Sequence, residues 1–500
     1  MSIAALRRTS VRTALALALT AGAAGAQWSV ETLSQARTNT SAVAAGDRVF
    51  FAGGNQLVST QPIVFNFLDV IDVYDATVGP PDDPAAWSVE KLSLARTDIA
   101  STVVGEHVLF AGGARSLSSA TPRVDVLDTT TMTWSQASLS GALRGCAPAT
   151  LGDLALFAGG NTEGLGGLAP TDLVEVYDGA LGPPSMAGAW STVSLSEARS
   201  SAAAAVVGGK LLVAGGTVGP GPTVTDTVDI YDSSVGPPSD PAAWSTAQLS
   251  QARLIGRRGS AVAGDKAYFA GGTLPGGVPS DVVDIYDAAT DTWSVTTLAT
   301  ARQGSSVVAV GDTVIFAGGS GPGGVTDSVE TLDATTGTWG PSARIERARQ
   351  AMGAATLGER AFFGGGFVSG GSADELDVFD AQAWTNLGGG SEGFDGVPFL
   401  TGAGSLVGGT PASVTLSHAP AGVQMLAWVS FGPTPFAAIG GTVHAFPYST
   451  QLFLVADATG GFVGATTWPE GTQVWFQFVI EDVTSLYGLT LSNGVRATTP

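Results

Sequence analysis

The sequence predicts an all-β protein built from repeated units of four short antiparallel strands. Three observations support this class. A strand-like segment that ends in two glycines, first seen as VFFAGGN at residues 49–55, occurs seven times. A tryptophan recurs at intervals of 45 to 59 residues along the first 384 positions. Within each unit the apolar residues alternate with polar ones or form short runs, which is the period of strands rather than of helices.

The first unit shows how four strands follow from the residues. SAVAA and RVFFA are joined by Gly46-Asp47, and glycine at the first position of a two-residue connection is typical of a type II′ hairpin. VIDVYD, at residues 70–75, alternates apolar and acidic residues and reads as a half-buried third strand. The segment that starts at Trp87 supplies the fourth. Four antiparallel strands repeated seven times predict a seven-bladed β-propeller.

The order of these features resembles that of kelch-repeat β-propellers, of the type found in secreted bacterial proteins. The resemblance rests on Gly53-Gly54, on the third strand that includes Asp72 to Asp75, on Trp87, and on their equivalents in six further units. It covers residues 27–387. Leu127, Leu332 and Phe379 depart from it, because each stands where the third strand of the other units has tyrosine.

Two details indicate how such a ring packs and closes. Glycine pairs permit close approach of two backbones and positive φ, and the tryptophans are predicted to pack between neighbouring blades. WSVETLS at Trp28 closely matches WSVEKLS at Trp87, whereas Trp384 is followed by TNL and three glycines. We therefore predict that the N-terminal strand completes the seventh blade.

The segments outside the repeats predict three further parts. Residues 1–26 combine three arginines, an apolar stretch and an Ala-Gly-Ala site, as in a cleaved signal peptide. Residues 388–395 read as a Gly-rich linker. Residues 396–500 contain strand-like segments separated by turn residues and predict a small C-terminal β-sandwich-like module. We expect a secreted, periplasmic or cell-surface protein, cleaved near Ala26, with no transmembrane segment after cleavage.

Charge and cysteine content exclude several classes of partner and site. The formal net charge is −21, and removal of three arginines with the signal would make it −24, which argues against nucleic acid or anionic lipid as partners. Cys146 is the single cysteine and is predicted to be buried and inert. His107, His418 and His444 have no metal-ligand spacing. We expect no cofactor and no bound metal, with calcium at loop aspartates as the open alternative.

A search for catalytic residues finds no convincing set. The proteins that this sequence resembles include the copper radical oxidases. Their site requires a tyrosine linked to a cysteine, a second tyrosine and two histidines. The propeller here has one cysteine and one histidine. Neither the sialidase turn pattern nor a G-x-S-x-G nucleophile motif is present. Most acidic residues recur in each unit, as Asp72 and Asp75 do, which favours roles in turns and at strand edges.

One arginine recurs in each unit after the tryptophan-led strand. The members of this set are Arg37, Arg96, Arg144, Arg199, Arg253, Arg302 and Arg349. Rotational repetition predicts a ring of guanidinium groups on one face. The ring is either structural, with each arginine paired to a repeated acid such as Asp72 or Glu175, or a binding site for an anion or an acidic sugar at the channel mouth.

The variable loops after the glycine pairs are the second candidate surface, because rigid scaffolds often carry recognition on loops. The first loop carries Phe65 and Phe67. Both are candidate binding residues, unless an early start of the third strand buries them.

These observations favour a non-catalytic recognition or scaffold protein that binds a protein or glycan partner through propeller loops. The alternative is an extracellular carbohydrate-active enzyme with acidic residues at the channel mouth. A purely structural envelope component is the third possibility.

Overall fold

The computed structural model divides the chain into two compact units, Trp28–Asp380 and a unit that contains Ala381–Pro500. It describes residues 28–60, 63–164, 167–219, 223–340, 342–381, 384–388, 398–403, 412–417, 419, 423–430, 436–438, 441–443, 450–455, 462–466, 473–481, 489–492 and 494–498. The signal peptide predicted for residues 1–26 lies outside this range, as does the predicted linker apart from Gly388.

The first unit consists of seven antiparallel four-stranded blades. Blades 1 to 4 consist, from first to fourth strand, of Ser41–Ala45, Arg48–Ala52, Val70–Asp75 and Trp87–Lys91; Ala100–Val104, His107–Ala111, Thr121–Asp128 and Thr133–Leu143; Ala147–Leu151, Leu154–Ala158, Gly167–Asp178 and Trp190–Ser200; and Ala203–Val207, Lys210–Ala214, Thr227–Asp232 and Trp244–Gln248. Blades 5 to 7 consist of Ser260–Ala263, Lys266–Ala270, Val278–Asp287 and Thr292–Arg302; Ser306–Val310, Thr313–Ala317, Ser328–Asp333 and Ala343–Arg344; and Gly353–Leu357, Arg360–Gly364, Glu375–Asp380 and Trp28–Thr32.

The first strands of successive blades contact one another around a closed ring, so that blade 7 contacts both blade 6 and blade 1. These strands surround a central channel. Its wall is made mostly of small side chains, such as Ala42, Ser101 and Ala204. The seven-bladed propeller predicted from the repeats is therefore the architecture of this unit.

Smaller elements decorate the blades. Short strands that follow the glycine pairs are Asn55–Thr60, Ile63–Phe67, Asn161–Gly164, Thr217–Val218, Thr223–Val224, Thr273–Leu274, Ser320–Gly321, Gly324–Val325, Phe367–Val368 and Gly371–Ser372. Single 3-10 turns are Pro84–Ala86, Gly179–Leu181, Ala187–Ala189 and Pro241–Ala243. No helix in the described part of the chain is long and apolar enough to span a membrane.

The hydrophobic core lies between neighbouring blades. At the junction of blades 7 and 1, the half-buried Trp87 packs against a cluster that includes Phe51 and Tyr74 of blade 1 and Phe362 of blade 7. The centroid of the Tyr74 ring lies 5.3 Å from the ring centroid of Trp87 and 5.3 Å from that of Phe362. The predicted position of the tryptophans between blades is thus confirmed at this junction.

The Pro-rich insertions of blades 1, 3 and 4 fold back onto the tryptophans that follow them. In each, a proline carbonyl accepts a hydrogen bond of 2.8 Å from the indole Nε1. The three pairs are Pro81 with Trp87, Pro184 with Trp190, and Pro238 with Trp244. Each insertion therefore satisfies the polar end of a side chain whose ring is packed against the core.

The glycine pairs lie where two blades approach most closely. Gly53 and Gly54 have φ of +59° and +113°. A Cβ on Gly53 would lie 2.5 Å from the carbonyl oxygen of Arg96 in the next blade, and a Cβ on Gly54 would lie 2.7 Å from that of Thr38. The close backbone approach predicted for these positions is therefore confirmed, and it leaves no room for a side chain.

The second unit contains antiparallel strands in a six-stranded sheet, a three-stranded sheet and a two-stranded hairpin. Its strands are Trp384–Gly388, Phe399–Ala403, Ala412–Ser417, Gln424–Ser430, Phe436–Ala438, Gly441–Val443, Thr450–Val455, Phe462–Thr466, Gln473–Glu481, Leu489–Leu491 and Gly494–Thr498. Trp384–Gly388 pairs with Gly494–Thr498. This strand belongs to the second unit, so the propeller ends at Asp380 and not at residue 387 as the repeats indicate.

Comparison of Gly53→Ala with Gly46→Ala separates crowding from backbone strain. Both glycines have φ near +57°, but nothing lies within 4 Å of a Cβ at Gly46. We expect Gly46→Ala to lower the free energy of unfolding by about 1–2 kcal/mol, the ordinary cost of the left-handed conformation. Gly53→Ala adds a backbone clash and should cost several kcal/mol more, measured by urea unfolding. Equal losses would show that the close approach is unimportant.

The closure of the ring by the N-terminal strand is confirmed, because Trp28–Thr32 pairs with Glu375–Asp380 in blade 7. We expect deletion of residues 28–34 to cost at least about 5 kcal/mol. The deletion removes the buried Leu33 and the contact of Trp28 with Phe379 at 5.2 Å, and it leaves an unpaired strand edge. Thermal unfolding measures the loss. Val30→Thr, at an exposed position of the same strand, is the control and should leave the midpoint almost unchanged.

Candidate functional site

Six of the seven repeated arginines are fully buried and paired with an acid on the third strand of the blade that follows. The pairs are Arg37–Asp72, Arg96–Asp125, Arg199–Asp229, Arg253–Asp284, Arg302–Glu330 and Arg349–Asp377. Each arginine lies at the end of the fourth strand of one blade or on the segment that leads from it to the first strand of the next. We call each of these pairs, with its backbone partners, a junction lock.

The lock of Arg96 shows how one residue holds two blades. Its backbone carbonyl accepts a hydrogen bond of 3.0 Å from the N–H of Gly54 in blade 1. Its guanidinium donates to the carbonyls of Gly112 at 2.7 Å and Phe110 at 3.0 Å in blade 2, and pairs with Asp125 at 2.5 Å. Burial lowers the pKa of Arg96 to about 10 in spite of Asp125, so the group stays charged at neutral pH.

The acids of the locks also bind the preceding blade. Asp72 accepts from the backbone N–H of Ser34 at 2.9 Å, and Asp229 accepts from that of Ser196 at the same distance. These contacts join the end of one fourth strand to the third strand of the next blade. Because the six arginines are closed off from solvent, the structure does not place them in the predicted anion site at the channel mouth.

Arg144 is one residue out of register with the other six. The carbonyl that accepts from the preceding glycine pair, at 2.8 Å from the N–H of Gly113, belongs to Leu143, which is fully buried. Glu175, the acid of this blade, accepts from the backbone N–H of Ser140 at 2.7 Å and not from an arginine. Blade 3 therefore has no junction arginine, and Arg144 points elsewhere.

Breaking one junction lock tests its structural role. Arg199→Leu leaves Asp229 buried without its charge partner, so we expect a loss of about 3–5 kcal/mol in the free energy of unfolding, measured with urea. Arg344→Leu is the control. Its side chain is 75% exposed and pairs with Asp327 at 2.7 Å, and its loss should cost less than about 1 kcal/mol. An unchanged stability of Arg199→Leu would contradict the role assigned to the locks.

Two or three residues after each junction position, every blade has one residue with positive φ. The seven residues are Asn39, Asp98, Gly145, Ser201, Gly256, Gly304 and Ala351. They lie just before the first strands and form a rim at one end of the channel, which we call the mouth. Gly145 and Gly256 donate backbone hydrogen bonds of 3.2 and 3.0 Å to the carbonyls of Asp98 and Ser201 in the preceding blades. Non-glycine residues in this conformation are uncommon and tend to occur at functional sites.

Asp98 lies between two arginines at the mouth. Its carboxylate is 2.6 Å from Arg144 Nη2 and 3.4 Å from Arg257 Nη2. Burial alone would raise the pKa of Asp98, but Arg257 and Arg144 outweigh that effect and hold the pKa below its ordinary value. Asp98 is therefore ionised at neutral pH and orients two guanidinium groups from different blades.

Arg258 adds a third guanidinium group to the mouth. Its Nη2 donates to the carbonyl of Thr40 at 3.1 Å, and among the described residues no carboxylate pairs with it. Burial lowers the pKa of Arg258 to about 9, with a further contribution from neighbouring Arg257, yet the group remains protonated at neutral pH. Three positive charges and one negative charge thus meet in a protein of net charge −21.

Three cavities that share lining residues lie at this end of the channel. The channel cavity, of about 320 Å³, is lined by first-strand residues of all seven blades together with Arg257 and Arg258. The arginine cavity, of about 470 Å³, contains Asp98, Arg144, Arg257 and Arg258. The phenylalanine cavity, of about 300 Å³, contains Asn55, Phe65, Thr97 and Phe367 and shares Asp98 and Arg144 with the arginine cavity.

Phe65 and Phe67 lie in a short hairpin outside the blades, and neither side chain is fully exposed. Their segment, Ile63–Phe67, pairs with Asn55–Thr60 in a separate hairpin, and the third strand starts only at Val70. The favoured expectation that an early third strand buries them is therefore not met, because both side chains are half-buried. Phe65 lines the phenylalanine cavity, whereas Phe67 lines none of the three cavities among the described residues.

Sequence reasoning missed five residues that line the arginine and phenylalanine cavities, namely Asp98, Arg257, Arg258, Asn55 and Thr97. A signal was present. The junction arginine precedes the first turn glycine by nine residues in blade 1, from Arg37 to Gly46, but by eleven in blade 5, from Arg253 to Gly264. The two extra residues fall in the segment that carries Arg257 and Arg258. A departure from the repeat, rather than the repeat itself, marks the site.

Other reactive groups line none of the three cavities or lie outside the described residues. Cys146 is buried and burial raises its pKa to about 12, which makes it unreactive. His107 is half-buried in a second strand, and His418 and His444 lie outside the described residues. Within the described part of the chain, no three residues among His, Cys, Asp and Glu cluster as a metal site would require.

The first unit is a β-propeller whose glycine pairs and third-strand acids recur in every blade. Residues 198–236 match the family model of the Kelch motif, and this stretch contains the junction arginine Arg199 and the pair Gly215-Gly216. Among solved structures, the chain is similar to that of YjhT, with 16% sequence identity, a TM-score of 0.44, and coverage of 57% of this chain and 94% of YjhT. No curated protein matches the sequence.

Proposed function

We propose that this protein is a non-catalytic recognition protein that binds an anionic group of a protein partner at the propeller mouth. The observation that carries the proposal is the convergence of Arg144, Arg257 and Arg258 on one cavity, in which Asp98 pairs with only the first two. The arginine cavity concentrates positive potential in an otherwise acidic molecule, which favours an anion at this place over the rest of the surface.

Arg258 is the group best suited to the incoming anion. Arg144 and Arg257 already share Asp98, whereas Arg258 has only a backbone carbonyl as partner among the described residues. It borders both the channel cavity and the arginine cavity. A carboxylate would pair with it through charge-assisted hydrogen bonds, which are stronger than neutral ones.

The mouth is poorly equipped for the enzymatic alternative. Glycoside hydrolysis ordinarily requires two carboxyl groups that flank the scissile bond. Among the described residues that line the three cavities, Asp98 is the only acidic one, and its proton affinity is reduced by two arginines. These observations favour binding over acid–base chemistry.

A protein partner fits this face better than a small free anion. Hairpins that follow the glycine pairs stand beside the mouth, and one of them holds Phe65 at the edge of the phenylalanine cavity. Recognition through such loops on a rigid scaffold is common.

We further propose that the protein acts after export, because residues 1–26 resemble a cleaved signal peptide. The N-terminus of the protein recovered outside the cytoplasm, determined by mass spectrometry, should then be Gln27 or a close neighbour.

Variants at the mouth test the proposal with a fluorescein-labelled oligoglutamate peptide as probe. We expect Arg258→Gln to weaken binding about tenfold or more, the effect of losing one charge-assisted contact. Asp98→Asn should tighten binding, because it removes the competing carboxylate while asparagine still tolerates the positive φ. Fluorescence anisotropy at two salt concentrations measures both effects.

Arg344→Gln, at an exposed position outside the three cavities, is the control and should bind like the unmodified protein. Binding that responds equally to Arg258→Gln and Arg344→Gln would reflect general charge and overturn the proposal. So would a failure of the probe to bind at low salt.

A further inference from the structure

The phenylalanine cavity adjoins the arginine cavity and differs from it in chemistry. The two share Asn39, Asp98, Leu117 and Arg144. The phenylalanine cavity takes its remaining walls from blades 1, 2 and 7, so residues far apart in the sequence meet there. The two cavities are therefore close enough for one ligand to contact both.

Two buried polar atoms of residues that line this cavity have no hydrogen-bond partner in the described part of the chain. Asn55 and Thr97 are 4% and 3% exposed. Asn55 Oδ1 and Thr97 Oγ1 lack a partner among the described residues, although both residues line the cavity. Leaving such groups unsatisfied costs about 1–3 kcal/mol each. A ligand that supplies a donor to Asn55 Oδ1 recovers part of that cost.

Apolar side chains flank these two atoms. Phe65 and Phe367 are half-buried walls of the cavity, and Leu117 at its edge is 61% exposed. Phe367 occupies the position after its glycine pair that Asn55 occupies in blade 1, since both form the same backbone bridge to the junction segment. The cavity thus combines an apolar surface with an unpaired acceptor and an unpaired hydroxyl.

We propose that the phenylalanine cavity binds an apolar side chain of the partner, and that the recognised feature is a peptide segment in which an apolar residue lies next to an acidic one. The inference rests on the proposed function, because the arginine cavity holds the acidic residue. The backbone N–H of the segment donates to Asn55 Oδ1, and the apolar side chain packs between Phe65 and Phe367.

A peptide accounts for all three features at once. Its backbone offers an N–H donor about every 3.5 Å, its acidic side chain meets Arg258, and a neighbouring leucine or phenylalanine covers the exposed apolar wall. A volume of about 300 Å³ accommodates one such side chain with its backbone. An acidic sugar would supply donors and a negative charge, but it would leave much of the apolar wall uncovered.

An array of hexapeptides Gly-Gly-X-Z-Gly-Gly, with all residues at X and Z, tests the proposal on the full chain. We expect binding where one variable position is acidic and the other is leucine, isoleucine, methionine or phenylalanine. Replacing the apolar residue by glycine should weaken binding about tenfold or more, the expected effect of losing a buried side chain. Affinities of selected peptides are measured by isothermal titration calorimetry.

Variants of the protein assign each preference to its cavity. Phe65→Ala should abolish the preference for the apolar residue while the preference for the acid remains. Arg258→Gln should do the reverse. Val64→Ala, at an exposed position beside Phe65, is the matched control and should change neither.

The outcomes separate the two proposals. Binding that depends on the acid alone, with Phe65→Ala without effect, overturns the inference and leaves the anion site standing. Absence of any acid preference overturns both. Binding of free uronic acids without peptide binding also overturns the inference, because the occupant is then a sugar.

Discussion

A buried guanidinium at each of six blade junctions is the interaction on which the rest of the propeller depends. The backbone carbonyl of each arginine accepts a hydrogen bond from the glycine pair of one blade. Its guanidinium binds the acid and the strand carbonyls of the next blade. An arginine has enough donors to serve several acceptors at once, which no other side chain provides. Burying the charge is costly on its own, and the acid with the carbonyls offsets that cost.

The locks also explain why the mouth is a plausible place for recognition. The mouth residues follow the junction position by only two or three residues, so their backbone is fixed on one side by the lock and on the other by the first strand. Recognition groups held in this way lose little entropy on binding. The same backbone position carries asparagine, aspartate, serine, alanine or glycine in different blades. One rigid geometry thus presents seven independently variable positions, four of which carry a side chain.

The architecture was predictable because the same strand pattern recurs in every blade. The site was not predictable, since its residues each occur in only one blade. The glycine pairs, the alternation of VIDVYD and the match between the segments at Trp28 and Trp87 determined the blade number and the closing strand. The arginine series misled at Arg144, because spacing alone does not distinguish a junction residue from its neighbour. Asp98 and Thr97 looked like ordinary variation within a repeat. Only the folded ring shows that they lie beside Arg144 and Arg257, residues of other blades.

The closing strand has a consequence for how the chain reaches its native state. Trp28 pairs with Phe379, 351 positions later in the chain, so blade 7 has by far the longest-range contacts of the propeller. Contacts of such sequence separation form slowly, since the entropy of closing the loop is lost before the pairing stabilises it. During synthesis the first strand has no partner until the whole ring has been made. We expect the nascent protein to pass through an open arc of blades whose two unpaired edges require protection from aggregation until closure.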